Sequence, residues 1–311
     1  MTNEVLTQQN INSIFNAAKN GNPNALFKLG EMFCFGRNVA KNKALAVKYF
    51  TRAAERGMAD AQYLVGNLYY GGTSVPMDRT VAAKWFIRAA KQNSVDAQYA
   101  AGCLYRDGNG VPKDGAEAVK WFNKPAKRGW AKAQYSLGNI YFHGVDMPKD
   151  SATAAQWFIQ AAEQGHADAQ CRLAMMYFYG DGVTINIHES FKWFLMSAEQ
   201  GQPGAQWSIG KMYYMGRGVP RDRAKAIEWL LKAAKQKHMD ALFMLGEMCL
   251  SGDGVPLDIA MAIRWFILAA QNGHEDAELK LISLVKHVPS EWPADKEPGN
   301  DFWDIPGDYT I

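Results

Sequence analysis

One order of apolar and polar positions returns every 36 residues along the chain without an insertion. Alanine marks the register at Ala25, Ala61, Ala97, Ala133, Ala169, Ala205 and Ala241, and Ala277 opens a further, incomplete copy. Four and five positions after the alanine come an apolar residue and a glycine, as in Leu29-Gly30, Val65-Gly66, Leu137-Gly138 and Leu245-Gly246. An aromatic follows three positions later at Phe33, Tyr69, Tyr105, Tyr141, Tyr177 and Tyr213. Offsets of 0, 4, 5 and 8 lie on one face of a helix, so the spacing predicts a first helix in every repeat. A glycine-rich connection such as Asp107-Gly-Asn-Gly-Val-Pro112 leads to Asp or Asn at 42, 78, 114, 150, 186, 222 and 258. The short polar side chain there suits the N-cap of a second helix, and Asp114 with Glu117 has the form of a capping box. That helix carries Trp85-Phe86, Trp121-Phe122, Trp157-Phe158, Trp193-Phe194, Trp229-Leu230 and Trp265-Phe266, then a small pair, usually Ala-Ala, and often a closing glycine such as Gly57, Gly129 or Gly165. The small pair lets neighbouring helices approach, and the aromatic pair fills the space between hairpins.

Residues 11–21 match the second helix in register, since Ala17, Ala18 and Gly21 stand 36 positions before Ala53, Ala54 and Gly57. The expected fold is all-α: a right-handed α–α superhelix of seven helix-turn-helix repeats. Its segments are an N-terminal stretch and capping half-repeat (1–24), repeats from 25 to 276 (starting at 25, 61, 97, 133, 169, 205 and 241), a C-terminal capping helix (277–286) and a tail (287–311). A hairpin exposes an apolar face that its neighbour must cover, so the half-repeats cap the ends.

The pattern A-x-x-x-L-G-x-x-Y, glycine loop, D, W-x-x-x-A-A-x-x-G resembles the Sel-1-like repeat family, relatives of tetratricopeptide repeats, over residues 11 to about 286. The resemblance implies adaptor and scaffold roles, with toxin immunity as the alternative and envelope-active hydrolysis as a third possibility. Local departures are Pro125 for the first alanine of a small pair, Ala174 for a glycine, Cys249 for a tyrosine and Lys237 for the closing glycine. An interior proline forfeits a backbone hydrogen bond, so a bend or early helix end is expected in the third repeat.

In related grooves the first helices line the concave side, and offsets 2, 6 and 9 share the face that the core does not use. Offset 2 reads Phe27, Tyr63, Tyr99, Tyr135, Cys171, Trp207, Phe243, and offset 9 reads Cys34, Tyr70, Arg106, Phe142, Phe178, Tyr214, Leu250. Offset 6 holds Asn67, Asn139, Met175 and Lys211. By position, the two asparagines match the one that bonds a bound peptide's backbone in tetratricopeptide grooves. The expected partner is another protein or a peptide, held by Tyr63, Asn67, Tyr70, Tyr99, Arg106, Tyr135, Asn139, Phe142, Trp207, Lys211 and Tyr214.

The net charge of +3 divides into about −5 for residues 287–311 and about +8 for the rest. Trp292, Phe302, Trp303 and Tyr309 make that acidic tail an odd composition for a solvated linker, and Trp292, Phe302 and Trp303 are expected to dock it on the last repeats. The spread of charge gives no basic run for nucleic acid, and no apolar window reaches the ~20 residues of a membrane span. Cys34, Cys103, Cys171 and Cys249 stand in alternate repeats, too distant to bridge, which fits a reducing cytoplasm. Ser208-Ile-Gly-Lys211 is formally S-x-x-K, but its glycine is the repeat glycine and no partner motif accompanies it. His166, His238 and His274 share one turn position at repeat spacing, which separates them too widely to ligate one ion and marks them as surface turn residues. No enzyme, cofactor or metal is expected.

Overall fold

The computed structural model describes residues 7–285, which form sixteen helices and, among those residues, no strand. They fall into two compact units, one ending at Asp150 and one beginning at Ser151. The first holds α1 (Gln8–Lys19), α2 (Pro23–Phe35), α3 (Lys43–Glu55), α4 (Ala59–Gly71), α5 (Arg79–Lys91), α6 (Val95–Asp107), α7 (Gly115–Lys127) and α8 (Ala131–His143). The second holds α9 (Ser151–Glu163), α10 (Ala167–Tyr179), α11 (Ile187–Glu199), α12 (Pro203–Met215), α13 (Arg223–Lys235), α14 (Met239–Ser251), α15 (Ile259–Gln271) and α16 (Glu275–Val285). Within each unit consecutive helices pack on one another, the helix-pair stack of an α-solenoid. The even-numbered helices from α2 to α14 are the first helices of the repeats, and α3 to α15 the second. Residues 286–311, including Trp292, Phe302 and Trp303, lie outside the described residues.

The loop chemistry places the second helices. The side chains of Asn42, Asp78, Asp114, Asn186, Asp222 and Asp258 each accept a hydrogen bond from the backbone N–H three residues on, at 2.9–3.1 Å. The box at Asp114 is half made: Glu117 donates its N–H to Asp114, while its carboxylate turns to Lys120. First helices stop at a left-handed residue; Gly108, at φ 72°, donates its N–H to the Leu104 carbonyl at 2.8 Å.

The core repeats with the sequence. The signature alanines from Ala25 to Ala277 are buried, and so are the aromatics or leucine that follow the second-helix tryptophans. The signature glycine lets that ring lie on the backbone of the first helix: a Cβ at Gly102 would stand 2.6 Å from Cδ1 and Cε1 of Phe122. The tryptophans are half-buried in most repeats, with a cation over the ring in several: Arg88 lies 4.9 Å over Trp85 and Lys232 lies 3.9 Å over Trp229. Trp265 is fully buried.

A row that the spacing argument passed over fastens one repeat to the next. The buried Gln62, Gln98 and Gln134 donate their side-chain N–H to the carbonyls of Ala54, Ala90 and Ala126 at 3.0, 3.3 and 3.0 Å. Gln170 and Gln206 do the same to Ala162 and Ala198 at 3.1 and 3.2 Å in the second unit. Each satisfies a carbonyl in the last turn of the preceding second helix, where the helix itself offers few donors.

Two expectations need correction. The helix with Pro125 does not end early: α7 has the 13 residues of the other second helices. Pro125 is the third residue from its end, and its carbonyl accepts from Arg128 and Trp130 N–H at 3.1 Å each, the same closure that Ala89, Ala233 and Ala269 make. The histidines are not surface turn residues. His166, His238 and His274 are half-buried at the junction before a first helix, and His166 Nδ1 accepts from Ala169 N–H. His238 stacks on Trp207 at 5.6 Å and His274 on Phe243 at 4.2 Å, so the residue entering one repeat covers an aromatic of the repeat before it. Trp130 does so for Tyr99 at 4.9 Å.

Candidate interaction surface

Eight of the eleven expected contact residues belong to the first unit. On α4, Asn67 and Tyr70 are exposed, and Tyr63 is half-buried with its ring 5.5 Å from Phe86. Tyr70 lies edge-on to Phe86 at 6.3 Å, with the Arg79 guanidinium 6.0 Å over its other face. On α6, Tyr99 is half-buried between Phe122 and Trp130, and burial pushes its hydroxyl pKa up. On α8, Tyr135, Asn139 and Phe142 are half-buried, and the Lys149 ammonium sits 4.9 Å over the Phe142 ring. The amides of Asn67 and Asn139 make no hydrogen bond to another described residue, so both keep their donors and acceptor for a partner.

Two of the expected contact residues, Arg106 and Tyr214, are engaged with carboxylates of the protein itself. Arg106 is forked onto its neighbour Asp107 at 2.7 and 2.8 Å, a charge-assisted pair that raises the guanidinium pKa further. Tyr214 donates its hydroxyl to Asp253 at 2.7 Å; Arg223 grips the same carboxylate, and its guanidinium lies 4.9 Å over the Tyr214 ring. The Asp253 pKa is lowered by Arg223 first and Tyr214 second. Tyr214 therefore ties repeat six to the loop of repeat seven. Spacing could not reveal this, because Asp253 is 39 residues away.

The other three expected residues are on α12 in the second unit, and two of them line a cavity of about 300 Å³ between α10 and α12. Trp207 and Lys211 share it with Met175 and Phe178, which the sequence rows contain, and with Met212, Met215 and Arg217, which they do not. Arg217 follows the helix in the loop, outside any helical periodicity. Its guanidinium stands 4.2 Å over the Phe178 ring, and the Lys211 ammonium 4.9 Å over Trp207. Ser208 of the S-x-x-K run lines the cavity too, but its hydroxyl donates to the Gly204 carbonyl at 2.8 Å within its own helix.

The four cysteines are unpaired; burial pushes the Cys171 thiol up to about 12 and the Cys249 thiol up to about 11, so neither is a nucleophile near neutral pH. Among the described residues no three of His, Cys, Asp and Glu gather as ligands, and no helix is long and apolar enough to cross a membrane.

A family model described as Sel1 repeat matches residues 23–58, 59–94, 95–130, 131–166, 167–202, 203–238 and 240–274. The fold is similar to a protective antigen present in uropathogenic Escherichia coli strains: 33% identity, TM-score 0.79, over 89% of this chain and 60% of that one. It is also similar to a Sel1 repeat protein from Oxalobacter formigenes, with 34% identity and a TM-score of 0.74, over 88% of this chain and 79% of that one. This chain thus spans less than two thirds of the first structure's length. No curated protein matches it.

Proposed function

The chain belongs to the Sel1-repeat family, whose repeats generally mediate protein–protein binding, and from that premise we propose that it is a non-catalytic scaffold. It holds a segment of another protein on the exposed face of its first helices, in the cytoplasm, without cofactor, nucleic acid or membrane. The observation that carries this reading is the pair Asn67 and Asn139. Both amides are unused among the described residues and stand on first helices among half-buried or exposed rings, namely Tyr63, Tyr70, Tyr135 and Phe142. Aromatic surface supplies contact area at low entropic cost, and a free amide pairs with the donor and acceptor of a peptide backbone. Reduced thiols are at home in the cytoplasm.

The test is affinity capture from native lysate by the full chain and by its Asn67→Ala/Asn139→Ala variant, with helix content checked by circular dichroism. A partner retained by the wild-type chain and lost by about tenfold with the variant supports the reading, since each buried hydrogen bond removed costs about 1 kcal/mol or more. Equal retention by both chains refutes it.

A further inference from the structure

The cavity between α10 and α12 has a more specific chemistry than the rest of the first-helix face. Its walls are thioethers and rings from Met175, Phe178, Trp207 and Met215; of its two hydroxyls, that of Ser208 is already satisfied by the Gly204 carbonyl and the other is the phenol of Tyr179. Methionine side chains adapt to the shape of what they contact, so such a wall accepts a bulky apolar side chain of more than one form. The two lining residues that carry a charge, Lys211 and Arg217, are both cationic. Each lies over an aromatic ring, which fixes it without neutralising it.

Two arginines elsewhere on this face are neutralised, Arg106 forked on Asp107 and Arg223 on Asp253. Lys211 and Arg217 have no carboxylate within ion-pair distance among the described residues. Two unneutralised cations beside an apolar cavity are complementary to one kind of occupant. We infer that this cavity is a binding site for an acidic protein segment that inserts an aromatic or large aliphatic side chain between α10 and α12 and sets its flanking carboxylates on Lys211 and Arg217. The guanidinium is suited to grip a carboxylate with two hydrogen bonds, and the ammonium acts as a point charge. This deepens the scaffold reading and rests on it.

Residues 299–306 of this chain, Gly-Asn-Asp-Phe-Trp-Asp-Ile-Pro, have the required composition, and a fluorescein-labelled peptide of that sequence is a defined probe. The receptor is the full-length chain bearing Phe302→Ser and Trp303→Ser, so that no aromatic of its own acidic run competes. Fluorescence anisotropy should show saturable binding in the micromolar range, about −8 kcal/mol. Lys211→Gln/Arg217→Gln should weaken it by tenfold or more, as should replacing both peptide aspartates by asparagine. Should those receptor variants fold poorly by circular dichroism, raising salt from about 0.05 to about 0.5 M on the unsubstituted cavity gives the same reading, since screening weakens exposed charge pairs. Absence of saturable binding, or binding indifferent to the peptide aspartates and to salt, overturns the inference. The scaffold reading is tested separately through Asn67 and Asn139 in the first unit and survives such a failure.

Discussion

Gly102→Ala asks whether the ring of Phe122 really rests on the α6 backbone. A Cβ at Gly102 would lie 2.6 Å from two ring carbons, where carbon atoms in contact keep about 3.5–4.0 Å, so the ring must withdraw by about 1 Å. It has little room to move, because Phe122 is fully buried and the Tyr99 ring also packs on it at 5.4 Å. Overpacking of this kind costs about 1–3 kcal/mol, while glycine to alanine inside a helix returns up to about 1 kcal/mol. The expected net loss is about 1–2 kcal/mol, read as a lower urea midpoint and faster native-state hydrogen exchange in α6 and α7. Gly71→Ala is the control: a Cβ there meets only Thr73 Oγ1 at 3.3 Å, so that variant should hold or gain stability. Combining Gly102→Ala with Phe122→Leu should cost less than the two changes summed, because the smaller side chain relieves the clash. Equal gains from Gly102→Ala and Gly71→Ala would refute the packing argument and leave helix propensity as the only term.

Three further outcomes follow from particular contacts. Lys237 closes α13 at φ 62°, where six equivalent positions hold glycine at φ 81–92°, so Lys237→Gly should raise stability by about 1 kcal/mol in thermal melts. Pro125→Ala restores an N–H near the end of α7 at a position where other repeats bury alanine, and should stabilise by about 1–2 kcal/mol in urea titration. Burial lowers the His238 pKa, with Asp240 opposing at 3.9 Å; His274 faces the same carboxylate at 3.6 Å. A depressed folded value means that the unfolded chain binds the proton first, so this group's contribution is intact above about pH 6.5 and is lost as pH falls toward the folded value. His238→Gln, the residue that Gln202 supplies one repeat earlier, should flatten the decline in melting temperature between about pH 7 and 5.5, and an unchanged slope would show that His238 is not its source.

The sequence by itself determined the helices, their pairing into repeats and which face of each is core. A 36-residue period holds alanine, glycine and aromatic at fixed angles on a helix, and Asp or Asn at the N-cap states where the next one begins. Of the rows expected outside the core, Asn67 and Tyr70 are exposed, whereas Phe27, Tyr63, Trp207 and Phe243 pack half-buried against it and Cys171 is buried in it. Periodicity says nothing of contacts made between repeats. Only the tertiary structure showed that the glutamine one place after the signature alanine is a buried link to the preceding helix, that Trp130, His238 and His274 cover rings, and that Tyr214 and Arg106 are already engaged. The early helix end expected at Pro125 does not occur because its cost depends on whether the missing N–H and the following carbonyls are in mid-helix or at a closing turn. The cavity was half legible, since Met175, Phe178, Trp207 and Lys211 stand in rows on two first helices; Met215 and Arg217 do not. Helical angle fixes a side chain's direction on its own helix, and distance to the next helix is set by packing, which no single repeat contains.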